Sequence, residues 1–322
     1  MTKPRIAVVG AGSFGRNHLR VIHQSPHAEL AGVLDLDGAR ARQAAETHGC
    51  PVFSSLDHLA EHADAAVIAT PTVTHADIGC RLMELGVDVL VEKPIAHEPA
   101  AARRLVDDAS RLHRILLVGH LERFNPAIVA LESAITQPLF FEIHRMSEFS
   151  PRSLDVDVIL DLMIHDLDIV LSLTGSAPEE IRAAGISILS AKVDIANVRL
   201  QFPGGCIANF TASRVSTERV RKLRLFQPHE YISLDYSRQD AVRFRVGEGM
   251  KIDFASLPVA KDEPLRLELE HFIESVVNRQ QPRVTGTQGL AALDLAFAIL
   301  AKIEEHSRLV AGTLGASRSS VR

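Results

Sequence analysis

The residues best suited to chemistry lie in LDLMIHDLDIVL, Leu160 to Leu171, where three aspartates and a histidine interrupt an apolar run. At helical period, Asp161, His165 and Asp168 fall at i, i+4 and i+7 and share one face. Buried ionisable groups are costly unless they are paired or have a function. A neutral imidazole suits proton transfer near pH 7, and a carboxylate one turn away can fix its tautomer. An isolated pair at this spacing is normally a satisfied core pair, but in combination with the nucleotide and lysine motifs described below a proton-transfer role for Asp161 and His165 is favoured; a metal site is the further alternative.

The remaining acidic residues of this helix receive weaker assignments. Asp168, one turn deeper on the same stripe, is expected to accept a structural hydrogen bond. Asp166 points away from the stripe, and the sequence gives it no role.

A second pattern, GAGSFG from Gly10 to Gly15, directly follows an apolar strand and opens a helix. Glycines at these three positions allow a tight turn, close approach of backbone N–H groups to a pyrophosphate, and close helix–strand packing. Asp35 stands at the end of the second strand, where a carboxylate accepts ribose hydroxyl groups and repels a 2′-phosphate. NAD is therefore predicted, although Asp37 and Arg40 leave NADP open. The alternative is a tight turn with a helix-capping aspartate.

Polar residues beside proline follow two further strands, in Thr70-Pro71-Thr72 and Glu92-Lys93-Pro94. Ligands of open α/β sheets bind at the carboxyl ends of the strands, which is where both turns are expected. Proline holds the backbone of Lys93 extended, and the bond between them can be cis. Lys93 is thus predicted to meet a substrate hydroxyl, with an exposed loop lysine as the alternative.

The elements that position these residues change character near residue 120. Before it, apolar strands at 5–10, 30–35, 65–70, 87–92 and 114–119 alternate with helices at about 14–24, 38–48, 74–85 and 98–112. This alternation predicts a doubly wound α/β domain with a parallel sheet.

The second part is predicted to be an α/β domain with a large, mostly antiparallel sheet. Helices are expected at about 125–135 and 155–174, a strand at 139–146, and six β-like runs between residues 183 and 247. Two further helices, about 264–280 and 287–306, precede a tail that we expect to be loose. The predicted domains are residues 1–121 and 122–322, with the last helix able to pack back on the first domain.

Composition excludes several classes of protein. The 322 residues carry a net charge of −5 without a basic run, which argues against nucleic-acid binding. The N-terminus has no apolar core of signal-peptide length, and no uninterrupted apolar window is long enough to predict a membrane span. Three separated cysteines fit a reducing compartment, so we expect a soluble cytoplasmic protein.

Taken together, these motifs resemble the Gfo/Idh/MocA oxidoreductases. The resemblance rests on GAGSFGRNH, ATPTVTHA, VEKP, VGHLERFNP and the Asp-x-x-x-His helix, and it runs from about residue 4 to 305. It implies a Rossmann domain followed by an α/β domain whose open sheet mediates assembly into a homodimer or homotetramer. It also implies NAD(P)-dependent oxidation or reduction of a sugar or inositol hydroxyl.

The resemblance also implies residue roles. Lys93 matches the lysine that orients the substrate hydroxyl, and Asp161 and His165 match the substrate-site pair, with His165 as proton acceptor. Some relatives use a tyrosine as base, but both tyrosines here, Tyr231 and Tyr236, lie outside the motif. The implied cofactor-site residues are Gly10, Gly12, Ser13, Phe14, Gly15, Asp35, Thr70, Pro71, Thr72, His75, Glu92 and Lys93.

Within the family, ERFNP and the segment from Pro151 to Leu173 are most similar to the branch acting on UDP-N-acetylglucosamine. That branch oxidises the sugar 3-hydroxyl to a ketone, which an aminotransferase then aminates on the way to amide-linked lipid A. Substrate ligands are then expected at Arg123, Asn125 and Arg152, in addition to the three catalytic residues, with Arg145 as a further candidate for the diphosphate. The family's glycine-rich approach to the helix is replaced here by Ser-Leu-Asp-Val-Asp-Val.

Two other functions stay open. One is an inositol or free-sugar dehydrogenase of the same family. The other is a non-catalytic NAD-binding regulator whose second domain only assembles subunits. Lys93, Asp161 and His165 argue against the regulator, because a sensor has no need of all three.

Overall fold

The computed structural model describes residues 3–149 and 156–319, and the chain divides into two compact units. The first unit contains the chain up to Phe124 together with Asp262–Leu293. The second contains Asn125–Lys261 and the chain from Asp294 onward. The sequence predicted one domain boundary, at residue 121. In the structure the chain passes from one unit to the other three times, after residues 124, 261 and 293.

The first unit is built on five parallel strands: β1 (Arg5–Val9), β2 (Glu29–Leu34), β3 (Ala65–Ile68), β4 (Asp88–Glu92) and β5 (Leu116–Gly119). Their order is β2-β1-β3-β4-β5, so the strand order reverses between β1 and β3. Strands β3, β4 and β5 are buried along their whole length, as their nearly continuous apolar sequences require in a sheet covered on both faces. The predicted doubly wound parallel sheet is confirmed.

Five helices connect these strands: α1 (Ser13–Gln24), α2 (Gly38–His48), α3 (Leu56–Ala60), α4 (His75–Glu84) and α5 (Pro99–Arg111). Their ends follow from local capping. The Asp37 carboxylate accepts the N–H groups of Ala39 and Arg40 at the start of α2, at 3.0 and 3.1 Å. Ser55 caps α3 in the same way through the N–H of His58.

The second unit contains α6 (Pro126–Ala134), β6 (Phe140–Glu148), a π-helical turn (Ile159–Met163) and α7 (Ile164–Thr174). Seven more strands follow: β7 (Glu180–Ile186), β8 (Ile195–Gln201), β9 (Ile207–Ser216), β10 (Val220–Gln227), β11 (Glu230–Asp235), β12 (Asp240–Val246) and β13 (Ile252–Ser256). The sheet order is β13-β12-β11-β10-β6-β9-β8-β7, and only the β6–β9 pair is parallel. The predicted mostly antiparallel sheet is confirmed; β13 and the π-helical turn were not predicted.

The side chains of this sheet alternate between a buried and a more exposed face. Phe141 and Ile143 of β6, Phe210 of β9, and Leu223 and Leu225 of β10 point to the buried side. The residues between them, such as Glu142 and Arg224, point to the other side, where these two form an ion pair at 2.9 Å.

Two helices complete the chain, α8 (Pro264–Asn278) and α9 (Gly286–Ser319). Helix α8 belongs to the first unit because its apolar stripe packs on α1 and on the 3₁₀ helix Leu121–Phe124. Helix α9 begins in the first unit, where Gly286 and Gly289 lie against Leu116 and Val118 of β5. It then continues into the second unit from Asp294 onward.

The C-terminal tail differs from its prediction. It was expected to be loose, but α9 continues through Ser319. No proline interrupts the sequence after residue 282, and pairs such as Glu304–Arg308 at i, i+4 support the exposed part of the helix.

By length and composition, one helical stretch, Gly286–Leu309 in α9, would suffice to cross a membrane. Half of its most apolar window is buried inside the protein. A core helix has the same properties, so this stretch is weak evidence for a membrane span.

A buried ion pair fixes α7 to the sheet of the second unit. Arg145 of β6 donates from Nε and Nη2 to the two carboxylate oxygens of Asp166, at 2.7 and 2.9 Å. Both side chains are almost wholly buried, and the ring of Tyr236 lies 5.0 Å below the guanidinium. This pairing gives Asp166 the role that the sequence did not reveal.

We predict that Asp166→Ala destabilises the protein by about 3–5 kcal/mol, because it leaves the Arg145 charge buried without its partner. Denaturant unfolding of the second unit measures the loss. The matched control is Glu142→Ala, which breaks the half-exposed pair with Arg224 on the same sheet and should cost about 1 kcal/mol or less. Equal losses for the two variants would contradict the prediction.

Candidate active site

The turn after β1 brings backbone very close to backbone. Gly10 has φ +95°, and a Cβ on it would lie 2.5 Å from the carbonyl oxygen of Ala69. A Cβ on Gly15 would lie 1.8 Å from the carbonyl oxygen of Gly10. A Cβ on Gly12, by contrast, would meet no atom within 4 Å. Since Gly12 has no side chain to cap α1, the first N–H groups of the helix are available to a phosphate in this open space.

Asp35 lies beside this turn at the end of β2. Its Oδ2 accepts the N–H of Ala11 at 2.6 Å and its Oδ1 accepts the N–H of Asp37 at 2.8 Å. The guanidinium of Arg40 lies 3.7 Å from Asp35 and 3.4 Å from Asp37, so two carboxylates offset its charge. Asp35 would repel the 2′-phosphate of NADP, and Arg40, which could attract it, is already paired with two carboxylates. This arrangement favours NAD at this position.

A cleft of about 860 Å³ opens over these residues, within the usual range of small-molecule sites. Residues at its wall include Gly12, Asp35, Thr70 and Pro71, together with the apolar side chains of Leu36 and Leu56. Leu36 is fully exposed, as expected of a side chain that covers a flat apolar ligand. The residues present therefore fit the adenosine half of NAD, with Ser13 and Phe14 at the start of α1 beside the phosphate position.

Hydrogen bonds between neighbouring residues of the same segment stabilise the Thr70-Pro71-Thr72 turn. Thr70 Oγ1 and Thr74 Oγ1 are 2.8 Å apart, and the Thr74 hydroxyl donates to the carbonyl oxygen of Pro71 at 2.8 Å. Thr70 and Pro71 line the cleft, as predicted for cofactor-site residues.

His75 connects this turn to the one after β4. Its ring nitrogens lie 2.9 Å from the carbonyl oxygen of Thr70 and 3.0 Å from that of Pro94. Burial lowers the pKa of His75, although the two carbonyl groups act in the opposite direction. The neutral ring can donate to only one carbonyl at a time. His75 is buried and supports both turns, while its contact with the cofactor stays a prediction.

The Glu92-Lys93-Pro94 turn leaves β4 with a cis bond between Lys93 and Pro94. Glu92 is buried, and its Oε2 accepts the N–H of Lys93 at 3.3 Å. Lys93 itself is partly exposed. The structure thus fixes where the lysine side chain begins, while Glu92 turns inward and acts as a support.

In the second unit, Asp161 lies in the π-helical turn and His165 in the first turn of α7. Both are partly exposed, whereas Asp168 is buried. The sequence argument assumed a regular helix, but a π-helical turn is wider and shifts the faces of the residues within it. Such turns occur often at functional sites.

A buried carboxylate organises the loop between β7 and β8, which is hydrogen-bonded to the chain just before this turn. Asp194 accepts the N–H groups of Ile188, Leu189 and Ser190 at 2.6–3.0 Å and the Ser190 hydroxyl at 2.8 Å. Burial by itself raises the pKa of Asp194, but these hydrogen bonds lower it to about 2. The same loop binds Asp157, whose Oδ1 accepts the N–H of Val193 at 2.8 Å. The start of the helix that carries Asp161 is therefore fixed.

The expected substrate ligands have different surroundings. Asn125 caps α6 through the N–H of Ala127 and donates to the carbonyl oxygen of Tyr236, each at 3.1 Å. Arg145 is paired with Asp166, and substrate contacts by Asn125 and Arg145 stay predictions. Arg123 is only 5% exposed. Arg152 lies outside the described residues.

Two residues at the site escaped the sequence argument, His18 on α1 and Glu268 on α8. His18 Nε2 lies 2.6 Å from Glu92 Oε1. The signal for Glu268 was present, since helical period places it on the same face as Leu265 and Phe272. A lone acid on an apolar stripe gives no indication of its partner.

Comparison with known proteins agrees with this geometry. A family model described as the GFO_IDH_MocA oxidoreductase family with an NAD-binding Rossmann fold matches residues 4–120. A model of the GFO/IDH/MocA C-terminal domain matches residues 127–227.

Individual relatives cover nearly the whole chain. UDP-N-acetylglucosamine 3-dehydrogenase of Acidithiobacillus ferrooxidans is 34% identical over 94% of this chain and 98% of its own. Its solved structure superposes with a TM-score of 0.90 over 95% of this chain and 99% of its own. Inositol 2-dehydrogenase of Rhizobium meliloti is 27% identical over 95% and 98% of the two chains.

We predict that Asp35→Asn changes cofactor preference. NAD affinity should fall by about 10- to 100-fold, because a charged acceptor for the ribose hydroxyls is lost, while NADP affinity rises because Arg40 is less neutralised. Titration calorimetry with both nucleotides measures the two changes. Asp64→Asn is the control, since Asp64 pairs with Arg5 at the opposite end of the same sheet and its loss should leave both affinities intact. Unaltered NAD and NADP affinities in Asp35→Asn would contradict this role.

Proposed function

This chain belongs to the Gfo/Idh/MocA oxidoreductase family, and on that premise we propose that it oxidises the 3-hydroxyl of UDP-N-acetylglucosamine to the 3-keto sugar. It is an NAD-binding dehydrogenase that acts on a CH–OH group. The observation that carries the choice of substrate is the similarity to the Acidithiobacillus ferrooxidans enzyme, at 34% identity and a TM-score of 0.90 across nearly the whole of both chains.

Oxidation of a secondary alcohol removes a hydride from carbon and a proton from oxygen. NAD, when bound, accepts the hydride. We assign proton removal to His165, since a neutral imidazole can take a proton near pH 7. Asp161 orients that ring and stabilises its charged form. Lys93 orients the hydroxyl and supplies positive charge to the developing alkoxide.

The supports around Lys93 favour this role. Glu92 holds its backbone N–H, and His75 joins the following Pro94 to the Thr70 turn. A lysine that only faced solvent would need no such support. The π-helical turn at Asp161, held through Asp157 and Asp194, supports the role of the second pair.

The product suggests the next step. A 3-keto sugar nucleotide is a substrate for an aminotransferase, so we place the chain before an amination on the route to amide-linked lipid A. We place it in the cytoplasm, in keeping with three cysteines that are all free thiols in the structure.

The assay for this function follows NADH absorbance with enzyme, NAD and UDP-N-acetylglucosamine, plus a carbonyl trap that removes the ketone. We expect NADH to form with this substrate and none with myo-inositol or glucose. Formation with myo-inositol alone would replace the proposal with inositol dehydrogenase, for which the 27% identity to the Rhizobium meliloti enzyme is the supporting observation.

Variants in the same assay separate an enzyme from an NAD-binding regulator. Lys93→Met should lower kcat by about 10²–10³-fold, and His165→Asn by about 10²–10⁴-fold, both with NAD affinity unchanged. Lys302→Met, which removes an exposed lysine of α9, is the control and should keep full activity. Normal turnover by Lys93→Met would refute the mechanism.

We also propose that a second copy of this chain covers the exposed face of the eight-stranded sheet. An aromatic row crosses five strands of that face: Phe140, Phe226, Tyr231, Phe244 and Phe254. Neighbouring ring centroids are 4.8–5.8 Å apart, and Phe226 and Phe254 are 38% and 62% exposed. Beside the row, the half-exposed pair of Arg224 and Glu142 offers both charges, which suits pairing of the face with its own copy about a twofold axis.

We predict that Phe226→Glu reduces the oligomer to single chains, because a charge within the row would be buried without a partner. Light scattering measures the mass. Ile188→Glu is the control, since Ile188 is a similarly exposed apolar residue outside the aromatic row. A wild-type mass equal to one chain would remove the proposal.

A further inference from the structure

Three ionisable side chains meet inside the first unit, directly behind Lys93. They are His18 of α1, Glu92 of β4 and Glu268 of α8, and their ligand atoms all lie within 4.8 Å of one another. All three are buried, and His18 and Glu268 have no exposed surface. Neither the cofactor turn nor the proposed proton transfer makes use of Glu268.

Glu268 is the unusual member. In the described part of the chain, neither of its carboxylate oxygens has a hydrogen-bond partner. An ionised carboxylate without solvent or a partner is strongly disfavoured. Burial raises the pKa of Glu268 well above its ordinary value, and the nearby charge of Glu92 raises it further. Protonation of Glu268 removes both the cost of burying its charge and the repulsion from Glu92.

The contacts of Glu92 and His18 indicate which of these two residues carries a charge. Glu92 Oε1 meets His18 Nε2 at 2.6 Å, and its Oε2 accepts the N–H of Lys93 at 3.3 Å. His18 Nδ1 has no partner within the described residues. A doubly protonated ring would leave an N–H there unsatisfied, whereas the tautomer that donates from Nε2 leaves only an acceptor. Glu92 is thus suited to be the ionised carboxylate, with His18 as a neutral donor.

Room around Glu92 is limited. A Cβ on Gly119 of β5 would lie 3.1 Å from Glu92 Oε2 and 3.2 Å from its Cα. Close packing from β5 on one side and His18 on the other leaves the carboxylate little freedom. A second negative charge at Glu268 would push against a group that cannot move away.

We propose that Glu268 holds a proton that leaves Glu92 with the single negative charge of the cluster, and that Glu268 thereby acts as a positioning residue for Lys93. The inference rests on the proposed function only in giving Lys93 its catalytic role. Other buried ionisable groups near these elements include His75 of α4, which faces Pro94, and Glu122 and Arg123 of the 3₁₀ helix packed on α8.

The proposal makes a signed prediction for stability. An unfolded chain releases this proton above about pH 4.3, whereas the folded chain keeps it. Wild-type stability must therefore fall as pH rises from there towards the folded pKa of Glu268. In Glu268→Gln, which keeps the shape and the neutral state, this loss is absent. The unfolding equilibrium constant of wild type should rise relative to that of Glu268→Gln by up to about tenfold per pH unit.

Denaturant unfolding of wild type, Glu268→Gln and Ser275→Ala across this pH range measures the effect. Ser275 is a buried residue of the same helix whose hydroxyl bonds to the carbonyl oxygen of His271, so Ser275→Ala should shift stability equally at every pH. Infrared spectra at neutral pH should contain a protonated-carboxyl C=O band in wild type that Glu268→Gln lacks. No such band in wild type would overturn the proposal, whether or not the variants fold.

Two further results would also overturn it. Parallel pH dependence of wild type and Glu268→Gln would mean that Glu268 is ionised in the folded chain. Loss of wild-type stability in a metal chelator that is absent or much smaller in Glu268→Gln would mean that a divalent cation occupies the cluster.

Turnover provides the test of positioning. Glu268→Ala should lower kcat at least tenfold with NAD affinity unchanged, and Glu268→Gln should restore most of that loss. If both variants were equally impaired, Glu268 would have no positioning role through its proton. Because the unfolding and infrared measurements need no substrate, they stand even if the assay for UDP-N-acetylglucosamine fails.

Discussion

The carboxylate of Glu92 connects several elements of the first unit. One oxygen meets His18 on the helix that opens at the dinucleotide turn, and the other accepts the backbone N–H of Lys93. Gly119 of β5 packs closely against it, since a Cβ there would lie 3.1 Å from Glu92 Oε2, and Glu268 brings α8 to the same point. One charge therefore joins the helix after the cofactor turn to the lysine turn. The apolar stripe of α8, which packs on α1 and on the 3₁₀ helix, explains why residues 262–293 belong to the first unit although they follow residues 125–261 of the second.

The second unit uses buried charge differently. Arg145 and Asp166 satisfy each other with two short hydrogen bonds, and Asp194 is satisfied by N–H groups of its own loop. Neither carboxylate has to gain or lose a proton in the proposed reaction. Asp166 fixes the middle of α7 to the sheet, and Asp194 orders the loop whose Val193 N–H binds Asp157, so the partly exposed Asp161 and His165 lie on a segment held at both ends. Rigid support of this kind is what placement of a proton acceptor requires.

Local sequence patterns predicted most of the fold because each rests on short-range physics. Continuous apolar runs located β1 to β5, and the glycine spacing located the turn after β1. Partners far apart in sequence were not predicted: Asp166 gave no sign of Arg145, and Glu268 gave no sign of Glu92. The π-helical turn was missed because a periodicity argument assumes a regular helix. The catalytic assignments came from combining motifs, whereas the supports of those residues became visible only when distant elements were packed together.

Selectivity must come from groups other than the motifs, because the glycine turn, Lys93 and the Asp161–His165 pair suit any secondary alcohol. Discrimination is a difference between affinities for two substrates, so a nucleotide sugar needs a group for its diphosphate that an inositol does not use. Arg145 is committed to Asp166, Asn125 caps α6, and Arg123 is almost fully buried. Arg152, in the stretch that replaces the family's glycine-rich approach, is then the cation best suited by sequence to this task. If so, exchange of that stretch should alter the choice of substrate while the hydride chemistry and the NAD site remain intact.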